Sequence, residues 1–404
     1  MGKELSSRER YLLAFRHEEG DRVPIDLHCG ESFRLPGVPQ HPRPEDRIRG
    51  IRGMGGDPIV DIWLPAETPD ADVTARKGTC GKDERGYPLR FAEWETPAGT
   101  LREVVRETED WRDLVAHQHL EHRTLGDGCR AEGDYDVYLF DDWNCSRFVE
   151  APVKTIRDVE ALRHILRVPT GEALTKWRED AKEAKRIARE NDLLLRARRT
   201  FGAEAGLWFM KTEDYLCATI SDTELVEAMV DVVTGWQIAR AELALEIGVD
   251  VLMHRGWYET PDYFGGERYL KFCKPLIEKL ARMCHEAGVQ LSYQRTQGNS
   301  KQIEVTRTLP IDHLWGPQPG SGQEDMALLK REIGDRITLW GGVETTYTVN
   351  EGMPAEIDAA VKKAMETCAP GGGYVVMPIE DVYGATPAEN IRAAVEAAKK
   401  YGKY

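Results

Sequence analysis

The chain has 404 residues, 41% hydrophobic and 30% charged, the proportions of a globular protein with room for one large barrel. Lysine and arginine total 54 against 69 acidic residues, a net charge of −15, which argues against nucleic acid or an anionic membrane as partner, since both are met by a basic footprint. No run of about 18 apolar residues exists to cross a membrane. The charged start MGKELSSRERYLLAFRHEEGDRVP lacks the apolar core of a secretory signal, and eight cysteines without a C-x-x-C pair read as reduced thiols, so a cytoplasmic location is expected.

In chain order, Ser6 or Ser7 is a helix N-cap ahead of Tyr11, Leu12, Leu13 and Phe15, and Gly20 stops that helix. A short strand follows near Val23 to Leu27, and PIVDIWLP (58–65) reads as a buried strand bounded by prolines. The stretch YPLRFAEWETPAGTLREVVRE alternates polar and apolar residues around Thr96-Pro97-Ala98-Gly99, which is a hairpin signal. It breaks the surrounding texture and marks an insertion over about 73–150. Helical patterns follow at 155–166 and 172–191.

From 193 a regular alternation sets in. Strand-like runs occur at 193–202, 249–256, 289–298, 312–317, 337–342 and 374–379, with amphipathic helices between and after them. Six strands plus the two early ones make eight, and strand–helix units at this spacing imply a parallel sheet. The expected fold is therefore α/β: a single (β/α)8 TIM barrel over 1–404 with an inserted antiparallel β-hairpin near the N-terminus. No Gly-rich dinucleotide fingerprint follows any strand, which disfavours a Rossmann fold.

In such a barrel, side chains at the C-terminal strand ends converge on one mouth. On this placement the mouth receives His28, Arg196, Arg198, His254, Tyr293, Arg295, His313, Glu344 and Glu380, with Trp257 and Tyr258 just past the fourth strand. Arginines gathered there in an acidic protein suit a ligand bearing carboxylate or phosphate, which guanidinium forks bind in pairs of hydrogen bonds. His254 with Glu259 suits acid–base work, with Glu344 and Tyr293 beside it. Arg196, Arg198, Arg295, His28, Trp257, Tyr258, His313 and Glu380 are the expected substrate contacts. A metal could be held by three of His28, Cys29, His254, His313, Glu344 and Glu380, but these lie on different strands and their spacing assigns no site.

The start SSRERYLLAFRHEEGDRVPID resembles the opening of uroporphyrinogen decarboxylase-like proteins, and EAPVKTIRDVEALRHIL resembles the superfamily's corrinoid-linked methyltransferase branch. ITLWGGVET, APGGGYVVMP and TPAENIRAAVEAAKKYG resemble its last two strands and final helix. Two departures stand out. LHCGESFRLPG replaces the Arg- and Gly-rich signature of true decarboxylases. Arg295 and Gln297 occupy the positions of a zinc-binding His-x-Cys pair, and the family's distal Cys falls near Ile379-Glu380, so the usual zinc ligands are absent.

The resemblance implies a methyltransferase that moves a methyl group between a small methylated substrate, such as an O-methyl ether, and a corrinoid (cobalamin) on a corrinoid-binding partner protein. A homodimer stays open. The alternatives are a decarboxylase of a carboxylate-rich substrate, with Asp61 stabilising developing positive charge, and a non-catalytic barrel that binds an anionic ligand.

Overall fold

The computed structural model describes residues 4–28, 43–109, 111, 144–320, 324–379 and 386–404. Eight parallel strands form one sheet: β1 (Ile25–Leu27), β2 (Val60–Trp63), β7 (Leu195–Phe201), β8 (Val251–Arg255), β9 (Gln290–Gln294), β10 (His313–Trp315), β11 (Thr338–Gly342) and β12 (Tyr374–Ile379). Their spatial order is β1-β12-β11-β10-β9-β8-β7-β2, so β1 and β2 are the strands that must meet for a barrel to close. Helices link the strands, among them Pro44–Met54, Gly171–Glu190, Thr223–Ile247, Lys274–Glu286 and Pro354–Cys368. The fold is TIM-barrel-like.

Between β2 and β7 lies a second, antiparallel sheet in the order β3-β4-β5-β6, built from Thr74–Lys82, Pro88–Thr96, Gly99–Arg106 and Phe148–Glu150. Its central turn is closed by the Thr96 hydroxyl, which donates to the Gly99 carbonyl at 2.7 Å, with Gly99 at φ 145°. β3 is exposed along its whole length and carries no alternating pattern, so no periodicity announces it. The helix Pro44–Met54 also differs from expectation; its signals are Pro44 at the first turn and Gly55 in the left-handed region at its end.

The first helix, α1 (Ser7–Phe15), is closed by a capping box between Ser6 and Glu9. It buries Tyr11, Ala14 and Phe15 against Leu194, Val251, Met253, Trp315, Trp340, Val375 and Met377. These strand residues face the barrel interior, and α1 plugs its N-terminal end. Tyr11 also donates its hydroxyl to the Asp57 carbonyl at 2.9 Å.

Asp57 joins the two edge strands. Its backbone N–H donates to the Ile25 carbonyl at 2.7 Å, and its carboxylate accepts the Ile25 N–H at 2.8 Å. The same carboxylate takes Ser7 Oγ at 3.0 Å, Arg10 Nη1 at 3.0 Å and Arg22 Nη1 at 2.6 Å, while only 1% of the residue is exposed. Removing one partner of a buried ion pair strands the other charge, typically at about 3–5 kcal/mol. The substitution Asp57→Asn is therefore expected to lower unfolding stability by about 3 kcal/mol or more, read as a lower denaturant midpoint at unchanged slope. A midpoint unchanged from wild type would show that the seam does not depend on this carboxylate.

Candidate active site

Residues that pair across parallel strands share a face. One row runs Arg255–Gln294–Trp315–Trp340–Val375, the next His254–Tyr293–Leu314–Leu339–Tyr374. The first belongs to the barrel interior, because Trp315, Trp340 and Val375 pack on α1. The second faces the helical layer. Parity thus sorts the polar strand residues into two separate groups.

The interior group is built from β1, β2 and β7. Arg196 donates to Asp61 through Nε at 2.7 Å and Nη2 at 3.0 Å, a bidentate pair, and its Nη1 lies 3.9 Å from Asp26. Asp26 accepts the Trp340 indole N–H at 2.9 Å. Arg198 donates to His28 Nε2 at 3.1 Å, which fixes the imidazole proton on Nδ1, and its guanidinium lies 4.9 Å from the Trp63 ring centroid. The His28 ring meets Trp315 edge-on at 5.1 Å. Three buried donors here have no hydrogen-bond partner: Arg196 Nη1, Gln294 Nε2 and Trp315 Nε1. Each such group costs about 1–3 kcal/mol unless water or a ligand satisfies it.

The two interior carboxyls are pushed apart. Burial, reinforced by Asp61, raises Asp26 above the usual carboxylate range against the pull of Arg196. Burial also opposes ionisation of Asp61, but Arg196 and Arg198 outweigh it and hold that carboxyl low. Burial drives His28 well below its ordinary value, with Arg198 and Arg196 adding to the effect, so it is a neutral imidazole.

Behind the sheet lies the second group. Tyr269 donates its hydroxyl to Tyr293 at 3.1 Å, and Tyr293 donates to Glu259 Oε2 at 2.7 Å. Glu259 Oε2 is 4.0 Å from His254 Nε2, and His254 Nδ1 is bonded to Thr200 Oγ1 at 3.0 Å. A Cβ on Gly202 would stand 1.9 Å from Glu259 Oε1, and one on Gly256 2.7 Å from the Tyr293 hydroxyl. Two glycines at strand ends therefore make the notch that seats this carboxyl. Burial, then the neighbouring Glu204, lift Glu259 to about 8, while burial alone lowers His254 to about 3. Near neutrality the pair is an uncharged acid beside an uncharged imidazole.

The expected site residues divide accordingly. Arg196, Arg198 and His28 meet in the interior. His254 and Tyr293 meet each other, with rings stacked at 5.6 Å, but on the helix-facing side. Arg295 follows Tyr293 onto that side, where it donates to the Gly298 carbonyl at 3.0 Å and Gln302 Oε1 at 2.9 Å and ties its own loop together. His313 is the first residue of a three-residue strand, so it lies at the plugged end, stacked on Phe15 at 4.0 Å, not at the mouth. Glu344 spends both carboxylate oxygens on the N–H groups of Thr346, Tyr347 and Thr348, capping a turn. Trp257 lies 4.0 Å from the Arg255 guanidinium, Tyr258 N–H donates to Glu204 Oε2 at 2.8 Å, and Glu380 lies outside the described residues. Asp26, Gln294, Trp315 and Trp340 complete the interior and were not among the expected contacts; their signal is shared parity with His28, Arg196 and Arg198.

Zinc does not fit where the resemblance would put it. The buried Arg295 is a permanent cation already bonded to carbonyl oxygens, and Gln297 offers no thiolate or imidazole. Among the described residues the cluster with metal-ligand spacing is Asp70, Asp72 and His164, partly exposed and with Arg167 3.4 Å from Asp70. No helix among the described residues is long and apolar enough to cross a membrane.

Residues 208–401 match the family described as Uroporphyrinogen decarboxylase (URO-D). Methylcobamide:CoM methyltransferase MtaA of Methanosarcina barkeri is 26% identical over 201 residues, 48% of this chain and 54% of that protein. Methylcobamide:CoM methyltransferase MtbA of Methanosarcina mazei is 21% identical over 183 residues, 44% and 50% of the two. The chain spans about half the length of the curated relatives it matches. A solved structure described as a methyltransferase from Methanosarcina mazei shares the fold, with a TM-score of 0.54 over 98% of this chain and 99% of that one at 17% identity.

The Glu259 carboxyl carries a stability signature. Its folded pKa is raised from 4.5 to about 8, so the stabilisation from proton uptake is complete below 4.5 and is lost as pH rises through about 8. Glu259→Gln keeps the shape without the ionisation. Melting temperatures of variant and wild type are expected to diverge in the variant's favour as pH rises across that window. A difference that stays constant with pH would show a carboxylate ionised throughout.

Proposed function

We propose that the chain, whose residues 208–401 match the uroporphyrinogen decarboxylase family model, moves a methyl group between a small methylated compound and a corrinoid carried on a partner protein. The sharpest form of the proposal has an O-methyl ether as donor. Its main support is the likeness of the C-terminal half to methylcobamide:CoM methyltransferases. The corrinoid enters as a reactant that takes up or gives the methyl group.

The chain's own part is to bind, orient and protonate. Breaking an ether C–O bond leaves the electron pair on oxygen, and an alkoxide departs poorly unless a proton reaches it. Two carboxyls with environments pushed apart are the usual arrangement for such work. Asp26, whose carboxyl burial pushes toward the protonated form and which lies 3.9 Å from Arg196 Nη1, is the candidate donor; Asp61, held low by Arg196 and Arg198, fixes Arg196. Arg196, Arg198 and His28 bind the substrate, with Trp63 and Trp315 as walls. No step is routed through zinc.

A decarboxylase is the second reading, and one observation favours it: Asp61 remains an anion among arginines, suited to stabilising positive charge in a substrate losing carbon dioxide.

Incubation of the purified protein with cob(I)alamin and a panel of methyl ethers, thiols and amines separates the two. The expected outcome is donor-dependent methylation of cobalt, seen as a spectral change, and Asp26→Asn should lower kcat with ethers by about 10²–10⁴-fold at little change in KM. Release of carbon dioxide from a carboxylated substrate with no cobalt methylation would replace the proposal by its rival.

A further inference from the structure

We propose that Glu259 is a proton-controlled latch: as the neutral acid it seats the loop 256–264 at the barrel mouth, and on losing its proton it releases the part of that loop that carries Trp257 and Tyr258. The latch does not depend on which reaction the interior performs.

The seat suits a carboxyl without charge. Glu259 lies in the loop that follows β8, yet it is wholly buried. Two glycines make room for it: a Cβ on Gly202 would stand 1.9 Å from its Oε1, and one on Gly256 2.8 Å from its Oε2. His254 stands opposite. The Thr200 hydroxyl donates to the Met253 carbonyl at 3.3 Å, so the proton in its 3.0 Å contact with His254 Nδ1 belongs to the imidazole. Nε2 is then a bare lone pair, without a hydrogen-bond partner, facing Glu259 Oε2 at 4.0 Å. An acid hydroxyl puts a proton between the two atoms. A carboxylate would set two acceptors against each other in a buried site.

The surrounding groups act on that proton from every side. Glu204, in the turn after β7, opposes the anion, while Arg295 beyond β9 and the Tyr293 hydroxyl favour it. Tyr269 and Cys273 on the turn Tyr269–Cys273, Tyr215 on the helix Thr212–Ser221, and Tyr293 itself are all held above their ordinary values by burial. His254 is lowered to about 3. As pH rises from neutrality, Glu259 therefore loses its proton, at about 8, ahead of the tyrosines and the thiol.

The loop has a fixed end and a free one. Phe264 is wholly buried, and its carbonyl accepts Gln302 Nε2 at 3.1 Å. At the other end Trp257 and Tyr258 are only partly buried, the first 4.0 Å from the Arg255 guanidinium and the second resting its N–H on Glu204 at 2.8 Å. Glu259 is the buried anchor between them. Its departure frees Trp257 and Tyr258 while Phe264 stays in the core.

The test reads the loop directly. Tryptophan fluorescence of the full chain is followed from about pH 6 to about pH 10, and the same titration of Trp257→Phe is subtracted, because the chain holds 10 tryptophans. The difference should show a one-proton transition centred at about 8. Glu259→Gln should abolish it and keep the neutral-pH spectrum throughout. Gly202→Ala, whose backbone at φ −106° accepts any residue, fills the seat and should give the released spectrum even at about pH 6. Chymotryptic cleavage after Trp257 and Tyr258, taken as the ratio of wild type to Glu259→Gln at each pH, should rise about tenfold between one unit below and one unit above the transition.

A flat fluorescence difference, or a transition that survives in Glu259→Gln, would overturn the inference. So would a Gly202→Ala protein with native circular dichroism and the neutral-pH spectrum of wild type. The wild-type titration and Gly202→Ala decide the matter by themselves should the glutamine variant not fold.

Discussion

Asp57 sets the seam on which the interior depends. β1 and β2 are short, and neither has the other as a ladder partner; what draws them together is one carboxylate and one peptide group. With the seam drawn together, Asp26 on β1 and Asp61 on β2 lie close enough for Arg196, reaching from β7, to bond one at 2.7 Å and approach the other at 3.9 Å. A wider seam would leave Arg196 with a single counterion and Asp26 with none. The structural staple at the plugged end and the charge pattern of the interior are thus consequences of the same closure. The arginines that serve the staple, Arg10 and Arg22, are distinct from those that face the interior, so the two functions do not compete for the same cations.

Burying so many ionisable groups is costly, and the way each is held reveals its task. Desolvated charges must be paired, or must neutralise. Asp61 takes the first route and Asp26 is pushed toward the second, although they belong to one cluster. Behind the sheet His254 and Glu259 both take the second route, and the result is an uncharged network of Tyr269, Tyr293, Glu259 and His254 that fixes the ends of β7 and β8. Glu204 ties this layer to the mouth: its carboxylate receives the Tyr258 N–H and lies 3.4 Å from Arg255, which points into the interior between Trp208 and Trp257.

How much of this is legible in the sequence follows from the same physics. The βα rhythm from residue 193 is plain, because each strand is a compact apolar run between amphipathic helices. The residues His28, Arg196 and Arg198 are legible as mouth candidates, since arginines in buried strands are conspicuous. Parity is not legible. A parallel barrel strand is buried on both faces, so HRG or YQR contains no amphipathic signal to say which polar residue points inward. His254, Tyr293 and Arg295 share one parity, Arg255 and Gln294 the other, and only the register with Trp315 and Trp340 decides between them. His313 misleads for a simpler reason: β10 has three residues, and a one-residue uncertainty in a strand so short moves a side chain from one end of the barrel to the other. Glu344 misleads because a capping carboxylate and a catalytic one are the same residue type at the same strand end.

The guanidinium at 295 bears on the whole mouth. A ligand for a dication must offer lone pairs, whereas Arg295 offers only N–H groups, and its Nη2 donates to the carbonyl of Gly298 and to Gln302 while its buried Nη1 has no hydrogen-bond partner. The loop 295–302 is then shaped from within, with Glu324 accepting the N–H groups of Asn299 and Ser300 on its far side. A loop organised by a metal gains its order from an ion that can leave; this one gains it from a covalently attached cation that cannot. Positions 295 and 297 thus offer a metal no ligand, and what they contribute to the mouth is a fixed loop and a buried cation.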